Sequence, residues 1–421
     1  MRAAAASVER LLGPAGVGQL ALGAGRATLP LALPASEGEL VEVVRLAARD
    51  DLCLLPLGTG AKLGWCRAPR GVDLAVSTRA LRGVVAYEPG DGTLTALAGS
   101  RMDELAAAVR AGGHHLTPDV ARPGGATLGG VLAAGQSGID RLRHGPARGH
   151  VLGARVVEAD GTVTKSGGRL VKNVTGYDLQ RLYCGSHGTL CILLEASLRL
   201  FPLPEHTALV TARSARPEQA LAAARALRAL RLQPLAVCVE NLRVERAEAP
   251  WALHALLAGR AAQVAWEREQ VARALGAAEV LEGEPAEALR DELRDLEPAA
   301  AETTSLHVAC RPSALEEVWH LCRDALGRRE CAPAALLHPG LATLDLPVVL
   351  STQALAQLVR ELRAALAPHR ARLSVRGAGV ELPDDLDPFG EPGPGFELMQ
   401  RLRARLDPRG RFAAGRFHGG L

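Results

Sequence analysis

The order of the predicted elements in residues 1–205 constrains the fold more than any other feature of this sequence. A capping box at residues 36–39 begins a helix with apolar residues at helical spacing. A buried strand and a glycine-rich loop follow, and the strands of this part are predicted at residues 52–57, 73–77, 83–87, 93–98, 151–158, 188–194 and 198–200. Because helices do not alternate with these strands, the order favours an α+β architecture over a doubly wound parallel sheet.

The length of 421 residues is more than one ordinary core supports, and we expect two domains. Pro202 and Pro204 mark a predicted boundary, after which strand-like and helical segments alternate. These segments are predicted at residues 209–211, 217–230, 235–239, 261–275, 285–296, 306–310, 314–326, 336–346 and 353–366, and Pro217 and Pro285 fit the first turns of helices. That pattern is typical of an antiparallel sheet with helices on one face. The predicted ranges are a first domain over residues 1–205, a second over 206–405 and a C-terminal tail over 406–421.

Composition and cysteine spacing exclude several classes of protein. The formal net charge is +3 without a dense basic block, and we therefore expect no nucleic-acid partner. The eight cysteines form no CxxC pair, so we expect no metal or iron–sulfur cluster held by this chain alone. The scattered cysteines, together with the lack of a signal-like or membrane-length apolar run, predict a cytoplasmic protein with no integral membrane segment.

The glycine-rich loop at residues 58–64 reads GTGAKLG and lies between two predicted strands. Glycines let the backbone turn tightly, so that successive N–H groups point to one place and form an anion-binding nest. Lys62 adds a positive charge within the loop. A plain tight turn explains the same residues, and the loop matches neither a Walker motif nor a Rossmann fingerprint.

A second segment rich in small residues, PGGATLGGVLAAGQSG, covers residues 123–138. Its paired glycines and alanines leave no side chains to obstruct a flat ligand, and Thr127 and Ser137 offer hydroxyl groups. The alternative is a flexible glycine loop. Apolar residues spaced as if one face were buried, Leu128, Val131 and Leu132, favour the ligand contact.

A third segment, KNVTGYDLQRLYCGSHGTL at residues 172–190, concentrates residue types that are rare elsewhere in the chain. Lys and Tyr each occur at three positions in the whole sequence, and this segment holds Lys172, Tyr177 and Tyr183. The turn at residues 185–188 either presents its amides to a ligand or is a plain entry into the following strand. Its residues alone do not separate these two interpretations.

In this order the three segments resemble the FAD-binding domain of the p-cresol methylhydroxylase/vanillyl-alcohol oxidase (PCMH) superfamily of flavoproteins, over about residues 30–205. Within it, ATLGG…AAG.SG and KNVTGYDLQRL resemble glycolate oxidase subunits, and the smaller, FAD-binding type more than the larger, catalytic type. The resemblance implies a two-lobed FAD-binding domain followed by a ferredoxin-like α+β cap domain. It also implies non-covalently bound FAD as the cofactor.

The resemblance assigns cofactor contacts to all three segments. The first segment would hold the FAD pyrophosphate through Gly58, Thr59, Gly60, Ala61, Lys62, Leu63 and Gly64. The second would pass along the flavin and the ribityl chain with Ala126, Thr127, Gly129, Gly130, Ala133, Ala134, Gly135, Gln136 and Ser137. The third would approach the adenine half and the diphosphate from the other side with His187, Gly188, Thr189 and Ile192.

The resemblance implies an FAD-dependent oxidoreductase that works as a subunit of a glycolate oxidase-type complex. Such a complex oxidises a small 2-hydroxy acid and passes electrons through flavin to an iron–sulfur subunit. The implied partners are that subunit and a catalytic-type FAD subunit, and the complex would be cytoplasmic or held peripherally at the inner membrane. Two alternatives stay open: a stand-alone FAD-dependent 2-hydroxyacid dehydrogenase, and a non-catalytic assembly protein with a vestigial flavin site.

The sequence departs from the superfamily pattern in ways that leave the catalytic residues unknown. It lacks the HGHxGDGN-type metal motif of catalytic relatives, and we predict that His338, in the nearest fragment, lies in a solvent-facing turn. His187 stands where catalytic relatives carry Glu. In the tail, Ala413 and Ala414 replace an Asn-Pro pair, which removes any contact that the Asn makes.

Two sets of titratable residues invite functional hypotheses. His114, His115 and His144 lie where covalent flavin attachment is conceivable, but we expect none. Lys172, Tyr177 and Asp178 would tune the flavin or handle protons, since charge near a flavin alters its potential. The alternative, which we favour, is that these three residues hold their loop in place. Asp178 and Arg181 are predicted to form an ion pair.

Overall fold

The structure is a computed structural model that describes residues 2–22, 28–68, 71–170, 176–243, 248–276, 278–297, 304–331, 334–377 and 382–421. These residues divide into two compact units. The first unit comprises Met1–Ser137, Pro146–Pro202 and Asp387–Leu421, and the second comprises Gly138–Gly145 and Leu203–Leu386. Residues 387–405, predicted as part of the second domain, thus group with the first unit, and the predicted domain ranges stay proposals.

The first lobe of the first unit is built on a four-stranded sheet in the order β1-β2-β4-β3. Its helices and strands are α1 (Arg2–Leu12), β1 (Val17–Ala21), β2 (Thr28–Ala32), α2 (Glu37–Arg49), β3 (Leu54–Leu57) and β4 (Leu74–Ser77). The capping box is confirmed, since Ser36 Oγ accepts a hydrogen bond from the Glu39 N–H at 3.2 Å. The apolar face of α2, with Leu40 and Val44, packs into the core of this lobe.

The second lobe is an antiparallel sheet in the order β5-β6-β10-β8-β9. Its elements are β5 (Val84–Glu88), β6 (Thr93–Leu97), α3 (Met102–Arg110), α4 (Leu128–Ala134), β8 (Val151–Val157), β9 (Val163–Gly167), α6 (Leu179–Tyr183) and β10 (Ile192–Arg199). A short pair, β7 (His114–His115) with β11 (Phe201–Pro202), lies beside the sheet. One face of the sheet packs against α3 and α4 through residues such as Ala96, Met102 and Leu128.

One strand of the second lobe differs from its prediction. The sequence predicts two strands at residues 188–194 and 198–200, but β10 runs unbroken from Ile192 to Arg199. It pairs with β6 on one side and β8 on the other, and the pairing with β8 has register shifts between Leu193 and Glu195 and between Ser197 and Leu198. The glycines before Thr189 form a turn, because Gly185 and Gly188 have φ values of +82° and +74°.

The second unit is an antiparallel sheet in the order β15-β12-β14-β13-β17-β18-β16-β19. Its elements are α5 (Arg141–His144), β12 (His206–Ser214), α7 (Pro217–Ala229), β13 (Ala236–Glu240), β14 (Trp251–Gly259), α8 (Ala261–Leu275), β15 (Glu279–Glu282), α9 (Glu284–Asp295), β16 (Thr304–Ala309), α10 (Leu315–Gly327), β17 (Leu336–His338), β18 (Thr343–Val348), α11 (Thr352–Leu366) and β19 (Arg372–Arg376). The order resolves into two βαββαβ modules, each of ferredoxin-like topology, that meet where β13 pairs with β17.

Helices cover both faces of the second sheet, which corrects the prediction of helices on one face. The helices α7, α8, α10 and α11 pack on one face around Trp319 and Leu257. By contrast, α9 packs on the opposite face, where Ala286 and Leu293 contact Leu209 and Leu256. The reason is the extra helix after β15, which has its own apolar stripe and must bury it on the remaining face.

The tail closes the first unit. After α12 (Phe396–Leu406), the carboxylate of Asp407 accepts hydrogen bonds from the N–H groups of Arg411 and Phe412, at 3.0 and 2.8 Å. The backbone at Phe412 then forms a parallel bridge with Leu54 of β3, and the Phe412 side chain is fully buried. The Ala413 N–H donates to the Leu54 carbonyl at 2.8 Å, so the tail docks without the Asn-Pro pair.

No helix among the described residues is both long enough and apolar enough to cross a lipid bilayer.

Candidate functional site

A cleft in the first unit brings the three small-residue segments together. It is lined by the turn after β3, by the glycines and alanines of α4, by the turn at residues 186–188 and by Arg416 of the tail. Each of these segments is anchored to a different element, so the cleft depends on the fold of both lobes. Its walls are mostly backbone and small side chains.

The turn after β3 is held in shape by its own hydrogen bonds. Gly60 has a φ of +88°, which only glycine adopts without strain, and its carbonyl accepts from the Leu63 N–H at 3.0 Å. The Thr59 hydroxyl donates to the Gly125 carbonyl at 2.6 Å and ties the turn to the second segment. Ser77 of β4 donates to the Gly58 carbonyl at 2.7 Å.

The amides of this turn are the donors that an anion would find in the cleft. Among the described residues, no acceptor takes a hydrogen bond from the N–H groups of Thr59, Gly60 or Ala61. The first amides of α4 are already used, since Leu128 donates to Ser100 and Gly129 to Ala98, at 2.9 and 2.8 Å. Of these two segments, the turn is therefore the one whose amides can contact an anion, and α4 serves as a wall.

That wall is flat because its residues are small. The N-cap of α4 is Thr127, whose Oγ accepts from the Gly130 N–H at 3.3 Å. Gly129 lies so close to Ala98 of the second lobe that a Cβ on it would stand 2.8 Å from the Ala98 Cβ. Gly129 is thus required for close packing of helix on sheet, and the face toward the cleft stays free of long side chains.

The third segment is fastened to α4. The His187 N–H donates to the Ala133 carbonyl at 2.8 Å, and the Gly185 N–H donates to Leu132 at 2.9 Å. The His187 ring lies with its Nδ1 3.0 Å from the Cys66 sulfur, and its centroid is 5.3 Å from the Phe417 ring. Burial raises the pKa of the Cys66 thiol to about 11, so this sulfur is a neutral partner near pH 7.

Most of the sequence-predicted cofactor residues lie in the cleft. Those that line it are Gly58, Thr59, Gly60, Ala61, Lys62, Leu63, Thr127, Gly129, Gly130, Ala133, Ala134, His187, Gly188 and Ile192. The others lie outside its lining, and these are Gly64, Ala126, Gly135, Gln136, Ser137 and Thr189. As contacts to a cofactor, all of them stay predictions.

The residues outside the lining have roles in holding the segments. Ser137 Oγ accepts from the Ala147 N–H at 3.3 Å, and Thr189 Oγ1 donates to the Ser186 carbonyl at 2.7 Å. Gly135 ends α4 in a left-handed conformation with φ +66°. Periodicity and spacing could not separate such residues from lining residues, because both sets alternate within the same short segments.

The other candidates fall in several places. Lys172 lies outside the described residues, Tyr177 is 88% exposed, and the predicted ion pair of Asp178 with Arg181 is confirmed at 3.6 Å. His114 Nδ1 lies 2.8 Å from the Tyr87 hydroxyl. His115 is the second residue of β7, and His144 ends α5 in the second unit.

The prediction of a solvent-facing turn for His338 is wrong. His338 is half-buried in β17, where it pairs with Thr343 of β18. The fragment reads as a turn because Pro339 and Gly340 follow directly, and they form the hairpin turn after the strand. Burial lowers the pKa of the His338 imidazole, which favours its neutral form.

The cleft fits a flat ligand that carries phosphates. A planar ring can lie against the small residues of α4, and the turn amides of residues 59–61 offer hydrogen bonds to an anion. Lys62 and Arg416 add positive charge to the lining. A flavin dinucleotide combines a planar ring with phosphates. The amide donors and the flat wall of the cleft therefore suit FAD.

Comparison with known proteins agrees with this fit. Residues 29–167 match the model of the FAD binding domain, and this part of the chain is such a domain. The whole chain has the fold of p-cresol methylhydroxylase, whose substrate-bound structure superposes with a TM-score of 0.75 at 14% identity, over 99% of this chain and 96% of that one. An alkyldihydroxyacetonephosphate synthase superposes with a TM-score of 0.74 at 14% identity, over 98% and 84%. The chain thus has a PCMH-type fold and carries an FAD binding domain, and the predicted fold and the FAD cofactor are confirmed.

Among curated proteins, the glycolate oxidase subunit GlcE of Escherichia coli (strain K12) is 37% identical over 39% of this chain and 47% of its own length. The glycolate oxidase subunit GlcD of Bacillus subtilis (strain 168) is 30% identical over 41% and 37%. A D-2-hydroxyglutarate dehydrogenase of Xanthomonas citri pv. viticola is 35% identical over 42% and 37%. The matches span less than half the length of each relative. The chain therefore resembles glycolate oxidase subunits, and it carries the FAD-binding domain of FAD-dependent oxidoreductases.

Proposed function

We propose that this protein is the FAD-binding subunit of a complex of glycolate oxidase type, which oxidises a small 2-hydroxy acid and passes electrons to an iron–sulfur subunit. The observation that carries the proposal is the cleft of small residues and acceptor-free amides in a chain that resembles GlcE. Its partners would be an iron–sulfur subunit and a catalytic-type flavin subunit. We propose a cytoplasmic complex, with any membrane contact made through the partners.

The residues of the cleft would bind and orient the cofactor. The amides of Thr59, Gly60 and Ala61 would hold the diphosphate, and the wall of α4 would admit the flat part of the molecule. Bound FAD supplies the group that accepts a hydride from a 2-hydroxy acid. The buried backbone of β3 and α4 fixes both sets of contacts before the ligand arrives, which lowers the entropic cost of binding.

Reconstitution tests this function. The purified chain should show the visible absorbance of a flavin. When it is combined with a catalytic-type flavin subunit and an iron–sulfur subunit, the complex should reduce a dye in the presence of glycolate. Omission of this chain should abolish or strongly reduce that activity. A full complex that fails to reduce the dye with glycolate would contradict the proposal.

A second candidate is a stand-alone FAD-dependent dehydrogenase for another 2-hydroxy acid. The 35% identity to a D-2-hydroxyglutarate dehydrogenase favours it. Under this hypothesis the isolated chain, kept without oxygen, would lose its flavin absorbance when a 2-hydroxy acid is added. If the chain is a subunit of the larger complex, no such bleaching is expected without the partner subunits.

The third alternative, a non-catalytic assembly protein, has lost its supporting feature. That feature is the altered tail, where Ala413 and Ala414 replace an Asn-Pro pair. In the structure this tail is docked, with Phe412 and Ala413 fully buried against the first lobe. A purified chain that is colourless and gains no thermal stability from added FAD would bring this alternative back.

A further inference from the structure

One side chain in the cleft carries a buried charge that is not balanced by the protein. Arg416 lines the cleft, and only 3% of it is exposed. Within the described part of the chain, no carboxylate lies within ion-pair distance of its guanidinium. Removing a charge from water is costly unless a counter-charge or a complete set of hydrogen bonds compensates it.

The hydrogen bonds of Arg416 compensate only part of this cost. Its Nη1 donates to the Arg67 carbonyl at 2.8 Å and its Nη2 to the Leu63 carbonyl at 2.9 Å. A guanidinium has five N–H donors, and Nε is buried with no acceptor among the described residues. Burial lowers the pKa of the guanidinium, while the neighbouring Cys66 sulfur acts in the opposite direction. Because the Cys66 thiol is itself neutral near pH 7, it does not supply a negative charge.

Two other buried arginines lie near the C-terminus, Arg403 on α12 and Arg411 in the tail. Each also has one buried nitrogen without an acceptor among the described residues, but each has a carboxylate nearby. Arg411 is 8% exposed, and its Nη2 lies 3.4 Å from the Asp51 carboxylate and 2.8 Å from the Ala48 carbonyl. Arg403 is 9% exposed and donates to the Phe412 carbonyl at 3.2 Å, with Asp407 as a nearby negative charge. Neither of them lines the cleft. Arg416 is therefore distinguished by its position and not by burial alone.

We infer that Arg416 is a cofactor-binding residue, whose guanidinium is the counter-charge for the diphosphate of the dinucleotide in this cleft. The inference rests on the proposed FAD site and deepens it. The donors that would receive the anion stand on two sides, with the turn amides of residues 59–61 after β3 and the guanidinium on the tail. The Arg416 guanidinium also donates hydrogen bonds to the carbonyls of Leu63 and Arg67, which fix its charge beside the segment that follows the turn.

Equilibrium binding to the full-length apoprotein tests this role. Flavin fluorescence quenching would give the affinities for FAD and for riboflavin, which lacks phosphate. We expect R416Q, which keeps donors but removes the charge, to weaken FAD binding about 10- to 100-fold, as befits the loss of one charge-assisted hydrogen bond. R416K should recover part of the loss. The affinity for riboflavin should stay within about twofold of the wild-type value, because riboflavin has no phosphate for Arg416 to contact.

Inorganic diphosphate provides a second readout that needs no flavin. Millimolar diphosphate should raise the unfolding temperature of the wild-type apoprotein and have little effect on R416Q. R411Q is the matched control, because Arg411 is a buried tail arginine outside the cleft. R411Q should lower the unfolding temperature but keep the wild-type affinity for FAD and the response to diphosphate.

Three results would overturn the inference. Equal losses of FAD and riboflavin affinity would show that R416Q acts only by loosening the tail. If the wild-type protein binds FAD and R416Q binds it equally well, the charge role of Arg416 is excluded but the proposed function is not. Wild-type protein that responds to neither FAD nor diphosphate would overturn both the inference and the proposed function.

Discussion

At the scale of single residues, Gly58 shows how closely the cleft is built around backbone. A Cβ placed on Gly58 would stand 2.0 Å from the Thr127 Oγ1 and 3.0 Å from its Cβ. Thr127 caps α4, so a side chain at position 58 would displace both the turn and the start of the helix. The glycine is required by packing between two segments that are far apart in sequence.

Substituting Gly58 by alanine should therefore weaken both folding and cofactor binding. We expect G58A to lower the free energy of unfolding by about 1–3 kcal/mol, the usual cost of forcing extra atoms into a packed site. FAD affinity should fall as well, because the turn amides move. Thermal unfolding and fluorescence titration measure the two effects. G125A is the control, since a Cβ there meets no atom within 4 Å, and it should resemble the wild type in both measurements.

A second residue-scale feature lies in the second unit. Asp345 is buried on β18, and its Oδ1 lies 2.8 Å from His307 Nδ1. Burial alone would raise the pKa of this carboxyl, but the charge and hydrogen bond of His307, together with Arg376, outweigh it and lower the pKa to about 2. The carboxylate is thus held ionised through the mildly acidic range.

This shift predicts how stability depends on pH. A carboxyl whose pKa is lower in the folded protein adds stability above its unfolded pKa of 3.8, and that stability disappears as the pH falls toward 2. While His307 is protonated, the shift corresponds to about 2 kcal/mol above pH 4. We expect D345N to lower the unfolding free energy at pH 7 and to flatten its dependence between pH 4 and 2. Denaturant titrations over that range measure it, and parallel curves for wild type and D345N would contradict the prediction.

At the scale of elements, local sequence predicted what depends on local patterns. The helix at residues 261–275 matches α8, and Pro217 and Pro285 lie in the first turns of their helices as expected. By contrast, the strand Trp251–Gly259 was missed. Eight of its nine residues are buried because neighbours cover both of its faces, so WALHALLAG shows no alternation and carries helix-forming Ala and Leu.

The residues of the cleft divide in the same way, into those with a local sequence signal and those without one. The glycine turn and the small residues of α4 were predicted because each segment carries its own signal. Arg416 was not predicted, since its partner Leu63 is 353 positions away and a single arginine in an arginine-rich chain has no local signal. The resemblance of the tail to a family pattern was the hint that pointed there, but it gave no contact.

The tail itself makes a testable contribution to stability. Phe412 is among the largest fully buried side chains and packs in the core of the first lobe. F412A should lower the unfolding free energy by about 3–5 kcal/mol, the usual cost of removing a buried phenyl ring. Leu398 on α12 is 61% exposed, so L398A should stay within about 0.5 kcal/mol of the wild type. A small effect of F412A in denaturant unfolding would show that the tail is not docked in solution.

At the scale of the whole molecule, the second unit is nearly self-contained. Residues 203–386 hold every strand of its sheet and most of its large core. The same unit also takes in Gly138–Gly145, from which Ile139 and Leu142 pack onto its cores. The second unit is therefore built from one long and one short chain segment.

A fragment of residues 203–386 should fold on its own. We expect a cooperative thermal transition, at a lower temperature than in the full chain because the contacts of Ile139 and Leu142 are missing. The fragment should not bind FAD, since the cleft lies in the first unit. Circular dichroism and fluorescence titration test both points. A non-cooperative melt would show that the short segment is required for folding.

The return of the tail to β3 has a consequence for the order of events during synthesis. As the chain leaves the ribosome, the strands of both lobes of the first unit emerge early, yet Leu54 receives its neighbour Phe412 only 358 residues later. Because Arg416 follows Phe412 closely, the last side chain of the cleft is also among the last to appear. Nascent chains stopped before residue 411 would then be unable to retain FAD, and cofactor loading would report that translation had passed this point.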